Sequence, residues 1–265
     1  MGTAQVQGEL WGAKAADWAE LQEPAWRPVY DAVLARAGVA GGTKLLDVGC
    51  GAGGALVAAR SLGAEVWGLD AAQNLVEVAR KRLPGARVEV GEMEELPFGD
   101  AEFDVVTGFN SFQFAGDVER ALREARRVCQ PQGTVAMLVW GRKEECDLCG
   151  ATLPAVLALL PPPPSGSPSL KPLSEPGVIE AMMHGSGLRP TARGELDSEF
   201  AYADVATACR AISSAGMLVR AVRVAGEEPV CKAIIGTLAP FTRADGSVCQ
   251  RNRFQWVTAT PAGGE

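Results

Sequence analysis

Two acids and a run of glycines stand in an order that can hold a nucleoside. The stretch Leu45-Leu46-Asp47-Val48-Gly49-Cys50-Gly51-Ala52-Gly53-Gly54 carries an apolar run into a glycine loop. A second apolar run, Trp67-Gly68-Leu69-Asp70, ends on a carboxylate 23 residues after Asp47. Glycine lets a chain turn tightly and lets a ligand lie against its backbone. The pattern between the runs is helical, so the whole is a βαβ unit, and open α/β sheets bind ligands at their strand ends. Asp70, at the tip of the second strand, is placed to accept hydrogen bonds from a ribose diol.

Gly49-x-Gly51-x-x-Gly54 also matches the dinucleotide pattern, in which a pyrophosphate lies over the loop and the helix N-terminus. Asp47 tilts the choice. A carboxylate two residues before the first glycine is a poor neighbour for a pyrophosphate and a good one for a ligand with an ammonium end. Adenosine, a ribose diol and an amino-acid tail together describe S-adenosylmethionine. Such a ligand makes methyl transfer the expected activity, and a cap and later helices rich in Ala, Val, Leu and aromatic residues point to a small, largely apolar acceptor. An NAD(P)-dependent oxidoreductase, or a protein that binds S-adenosylmethionine without transferring methyl, stays open on the residues alone.

The elements that must position these residues read as follows. Residues 5–40 look helical, with Trp11, Trp18, Leu21, Trp26, Val29, Tyr30, Val33 and Leu34 as an apolar stripe. Strands are expected over 44–48, 65–69, 87–90, 103–108 and 134–140, with helices over 54–62, 72–83 and 118–128. This alternation predicts a doubly wound parallel sheet. Beyond residue 140 the pattern loosens into a proline-rich loop over 161–168, a helix over 176–185 and a strand-like stretch over 188–200. Helices over 203–240 and a strand over 253–259 follow. The expected organisation is one domain over 1–265. Residues 1–42 form a helical cap, 43–141 the cofactor-binding core and 142–265 the substrate-side helices and last strands.

With its motifs in view, the chain resembles the class I S-adenosylmethionine-dependent methyltransferases, in the small-molecule branch similar to ubiquinone and menaquinone biosynthesis enzymes. The resemblance rests on Leu46–Gly53, Gly68-Leu69-Asp70, Gly91-Glu92-Met93-Glu94-Glu95-Leu96-Pro97-Phe98, Phe103-Asp104-Val105-Val106 and Pro131-x-Gly133. It implies a Rossmann-like α/β sheet of seven strands in the order 3-2-1-4-5-7-6, with strand 7 antiparallel and built on 252–257. It places Asp47, Gly49 and Gly51 at the methionine end of the cofactor and Asp70 on the ribose, with Cys50 in the same loop counted among the cofactor-binding residues. Ala71, Glu92 and Met93 fall beside the adenine, where Glu92 replaces the usual Asp. Asn110 flanks the sulfonium, and Trp18 in the cap is a further binding and positioning candidate. No dedicated base is evident; Asp17, Glu20 and Glu23 are the carboxylates the cap offers.

Composition narrows the partners. The 265 residues are 47% apolar, carry a net charge of −7 and include seven cysteines. An acidic chain with scattered Lys and Arg is not expected to bind nucleic acid. Neither a membrane span nor a signal peptide is expected, and an odd number of dispersed cysteines suits a reduced, cytoplasmic protein. The chain is expected to act as a monomer or homodimer. His184, the single histidine, sits before Gly185 as a helix-end residue. Cys146-x-x-Cys149 has metal-ligand spacing but lacks a second pair, so no metal site is expected.

Overall fold

The computed structural model describes residues 2–162 and 172–262, so the expected proline-rich loop lies, from residue 163 on, outside the described residues. The chain opens with α1 (Ala4–Gly12) and the single turn α2 (Ala15–Asp17). A π-helical turn (Trp18–Gln22) and a 3₁₀ turn (Glu23–Trp26) lead into α3 (Arg27–Arg36). The one expected helical stretch is thus broken before Ala15 and again around Pro24, whose ring cannot continue an α-helix. Its apolar stripe divides in consequence. Val29, Val33 and Leu34 bury against the sheet, whereas Trp11 and Trp18 stay only partly buried.

Seven strands form one sheet in the order β3-β2-β1-β4-β5-β7-β6. The strands β1 (Lys44–Val48), β2 (Glu65–Asp70), β3 (Arg87–Val90), β4 (Phe103–Phe109) and β5 (Cys129–Trp140) run parallel. The helices α4 (Gly54–Ser61), α5 (Gln73–Arg82) and α6 (Val118–Val128) fall between them in sequence. Side chains alternate across the sheet and both faces are covered, as a parallel sheet requires. Leu45 and Val105 enter the core on one face; Leu46, Val48 and Val106 enter the core on the other.

After β5 come short turns and α7 (Leu153–Leu157), a region for which periodicity offered no assignment. The helix α8 (Val178–Gly185) precedes β6 (Leu188–Tyr202). Three helices, α9 (Val205–Ser213), α10 (Gly216–Ala225) and α11 (Glu227–Leu238), then separate β6 from β7 (Val248–Pro261). Strand β7 is antiparallel to both β5 and β6. It starts five residues earlier than expected because Gln250 and Asn252 are buried polar positions that break the apolar pattern. The Gln250 amide donates to Thr152 at 3.1 Å, and Asn252 accepts from the Leu148 N–H at 3.2 Å.

The N-terminal cap is keyed to the C-terminal elements. Tyr202 donates to Gln22 at 2.9 Å, Lys14 pairs with Glu227 at 2.7 Å, and Arg210 pairs with Asp17 at 2.5 Å. Trp26 packs against Phe200 and Phe254 with ring centroids 5.5 and 5.0 Å apart.

Candidate functional site

A cavity of about 750 Å³, counted with the space at its mouth, opens at the C-terminal ends of β1, β2 and β4 and is roofed by the cap. Eight of the ten expected binding residues line it: Trp18, Gly49, Gly51, Asp70, Ala71, Glu92, Met93 and Asn110. Asp47 and Cys50 do not. Asp47 is 1% exposed and accepts a 2.7 Å hydrogen bond from Thr107. Burial pushes its carboxyl up to about 8, so in this fold it carries its proton near neutrality. Cys50 is also buried, and burial raises its thiol well above the usual range.

Asp70 sits where the second strand ends. It accepts from the Gly51 and Ala72 N–H groups at 2.8 Å each, which fixes the glycine loop against the strand tip. Desolvation raises its pKa; the backbone donors oppose the rise. Glu92 accepts from the Ala4 N–H at 3.1 Å, and the Thr3 hydroxyl donates to the Phe114 carbonyl, so the start of α1 lies on the cavity rim. Asn110 adopts φ +53°, a left-handed conformation that non-glycine residues rarely occupy and that clusters at functional sites. Its N–H donates to Leu138 at 2.8 Å, and its side-chain oxygen accepts from Gln113.

Five further lining residues are aromatic. Trp11 meets Trp18 edge-on with centroids 4.9 Å apart and meets Phe114 at 5.5 Å. Tyr30 meets Phe109 at 4.9 Å. Trp26, Tyr30, Phe109 and Phe114 all line the cavity. Among the described residues the only charged side chains in the lining are the carboxylates of Asp70 and Glu92; no Lys, Arg or His takes part.

Of the three cap carboxylates, Asp17 is tied to Arg210 and Glu20 faces solvent. Glu23 is different. It is 3% exposed, pairs with Arg82, and accepts from the N–H of Gly54, the first residue of α4, at 3.2 Å. Arg82 also donates to the carbonyls of Ala19 and Ala52, tying cap, loop and α5 together. Desolvation raises the Glu23 pKa and the Arg82 charge opposes it. The helix N-terminus on which a dinucleotide would seat its pyrophosphate is therefore occupied by the chain's own carboxylate.

The remaining candidates lie elsewhere. His184 is exposed in the last turn of α8 and does not reach the cavity. Cys146 and Cys149 sit on one helical turn, where Gly150 N–H donates to the Cys146 carbonyl at 2.7 Å. Interaction with Cys149 lowers the pKa of the Cys146 thiol from its ordinary value. Among the described residues no three His, Cys, Asp or Glu side chains group as a metal site. No single described helix is long and apolar enough to cross a membrane.

Comparison with known proteins agrees with the methyltransferase-type fold. Residues 46–137 match the family model described as a methyltransferase domain. An uncharacterised protein of Mycobacterium tuberculosis is 33% identical over 154 residues, which cover 55% of this chain and 56% of that protein. Demethylmenaquinone methyltransferase of Thermotoga maritima is 36% identical over 97 residues, covering 36% of this chain and 42% of the enzyme. The chain thus spans about half the length of these curated relatives. Among solved structures, the partner of the Trm112 methyltransferase activator in a Haloferax volcanii complex superposes with a TM-score of 0.61 at 19% identity. That match covers 96% of this chain and 98% of the other.

Proposed function

From the methyltransferase domain that this chain carries over residues 46–137, in a fold of class I methyltransferase type resembling the quinone-biosynthesis enzymes, we propose that it transfers a methyl group from S-adenosylmethionine to a small, largely apolar acceptor. The observation that carries this reading is the charge of the cavity: its charged lining is carboxylate alone. A sulfonium with an ammonium tail is attracted to that field, and a pyrophosphate is repelled by it. Glu23 at the start of α4 supports the same choice over NAD(P). Asp70 takes the ribose hydroxyls, Ala71, Glu92 and Met93 border the adenine, and Asn110 and Trp18 position the reacting end. The glycine loop leaves room for the amino-acid tail at Gly51.

When bound, the cofactor supplies an electrophilic methyl on a positively charged sulfur. The chain's part is alignment and exclusion of water, which can speed a displacement by many powers of ten when nucleophile and electrophile are held in line. Trp11, Trp18, Trp26, Tyr30, Phe109 and Phe114 offer an acceptor apolar contact and would supply π-electron density to a sulfonium bound among them. Residues 1–42 act as the cap and residues 142–265 as the acceptor side. The protein works in the cytoplasm as a monomer or homodimer, without nucleic acid.

Calorimetry tests the cofactor. S-adenosylhomocysteine is expected to bind and NAD not to; tight NAD binding with no S-adenosyl ligand bound sinks the proposal. Asp70→Ala removes a carboxylate bonded to the ribose diol and is expected to weaken the S-adenosyl ligand by about 1.5–3 kcal/mol, roughly 10- to 150-fold. An unchanged Kd in a folded variant places the ribose elsewhere.

His184→Ala is expected to leave turnover within about tenfold of the parent protein, since the side chain lies outside the cavity. Transfer of a labelled methyl to a panel of small phenols and thiols provides the measurement. A thousandfold loss with unchanged cofactor affinity indicates a general base at His184 and defeats the alignment account.

A further inference from the structure

Gly51 has φ +55°, and a Cβ built on it meets only two atoms within 4 Å, Glu23 Oε1 and Trp18 Nε1, each at 3.5 Å. Gly51 and Trp18 line the cavity and Glu23 stands directly behind that lining, so the missing side chain leaves a small cradle backed by one anionic oxygen and one N–H. Neither atom is fully used. The Trp18 indole N–H is buried with no hydrogen-bond partner among the described residues, a condition that folded proteins seldom leave uncorrected. Glu23 Oε1 accepts from the Gly54 N–H at 3.2 Å, the Ala52 N–H also approaches the carboxylate, and Oε2 faces Arg82. A carboxylate has about four acceptor sites over its two oxygens, so Oε1 has capacity to spare.

We propose that Glu23 and the Trp18 indole hold the amino-acid end of the S-adenosyl ligand, Glu23 Oε1 accepting from its ammonium and Trp18 Nε1 donating to its carboxylate. The assignment rests on the S-adenosylmethionine reading above and adds to it a zwitterion clamp built by the cap. The clamp is matched in polarity, one acceptor for the cation and one donor for the anion, and the bonds it makes are charge-assisted. It also accounts for the position of Asp47. Neutral, and bonded to Thr107 behind the loop, Asp47 is not the carboxylate that faces the cradle; Glu23 is. Arg82 is the positioning residue, since it fixes Glu23 through its carboxylate and the turn carrying it through the Ala19 carbonyl.

The test compares two ligands that share adenosine and sulfur and differ in the amino-acid tail. S-adenosylhomocysteine and 5′-methylthioadenosine are titrated calorimetrically into the parent protein, Glu23→Gln and Trp18→Phe. The parent is expected to prefer S-adenosylhomocysteine by 100-fold or more. Glu23→Gln is expected to weaken S-adenosylhomocysteine at least tenfold and to leave methylthioadenosine within twofold; Trp18→Phe follows the same pattern with a smaller loss. Equal losses for both ligands assign Glu23 and Trp18 to loop support only and overturn the clamp, as does no loss for either. If Glu23→Gln does not fold, Trp18→Phe and the parent's own preference decide, and a parent that binds the two ligands equally defeats the assignment. A parent that binds neither overturns the proposed function itself, and the clamp with it.

Discussion

Asp47→Asn is expected to make the protein more stable than its parent at pH 8 and only slightly so at pH 4, the gap opening steadily between. Asp47 titrates near 3.8 in the unfolded chain, and burial holds it at about 8 in the fold. Below pH 4 the carboxyl is protonated in both states and contributes nothing. Between 4 and 8 the unfolded chain sheds the proton while the folded protein keeps it, so stability falls as pH rises. Each unit of that interval costs up to about 1.4 kcal/mol, and the whole interval amounts to on the order of 5 kcal/mol. Asn has the same shape and still accepts from Thr107, so the variant loses the pH penalty and keeps the bond. Subtracting the two curves cancels the titrating groups that lie apart from Asp47 and leaves its own contribution with that of its coupled neighbours Asp70 and Glu23. Urea unfolding of both proteins at pH 5, 6, 7 and 8 measures the difference; parallel curves would show that Asp47 ionises freely in the fold.

Gly49→Ala is expected to cost stability outright. Gly49 has φ +77°, where a Cβ is strained by about 1–2 kcal/mol. The new Cβ also falls 2.3 Å from Ser111 Cβ. Ser111 cannot swing aside, because its hydroxyl donates to the Val48 carbonyl at 2.6 Å and its Cβ is one bond from the backbone. Strain and overlap together bring the loss to about 3–5 kcal/mol. At this chain length that lowers Tm by roughly 6–20 °C. A thermal scan that finds Tm within 2 °C of the parent means the loop has other room, and the tight seating of Gly49 against Ser111 is wrong.

The sheet was legible because its signals are local. Each βα unit has an apolar run, a glycine and a helical period within some twenty residues, and β1 to β4 fall within one residue of the expected limits. The antiparallel β7 between β5 and β6 came from the resemblance, since hydrophobic period carries no information on strand order. Strand β5 begins five residues early because its register shifts between Phe103 and Val105, which lets Cys129 pair with Phe103 ahead of the apolar run.

Seven of the twenty cavity-lining residues were also readable, since Gly49, Gly51, Asp70, Ala71, Glu92, Met93 and Asn110 stand at or shortly after strand ends. Glu23 was one of three equivalent acids until the fold distinguished them. It lies on a π and 3₁₀ stretch, where the 3.6-residue period fails, and its partner Arg82 is 59 residues away. The burial of Asp47 behind the loop was equally hidden, because a strand's two faces look alike until the layers on each are known.

The bond between Gln22 and Tyr202 also sets a timetable. During synthesis the cap segment leaves the ribosome 180 residues before the tyrosine that secures it, and further ahead still of Glu227, the partner of Lys14. At about 5–20 residues per second that wait is roughly 10–40 s. Throughout it, Trp11, Trp18 and Trp26 have no finished surface to settle on, so the newborn chain is sticky at its leading end. The nucleoside crevice is likewise among the last parts to be completed, although its glycines are translated early. Truncated products ending before residue 202 are therefore expected to clump, and to be inert toward the ligand even where the first five strands have formed.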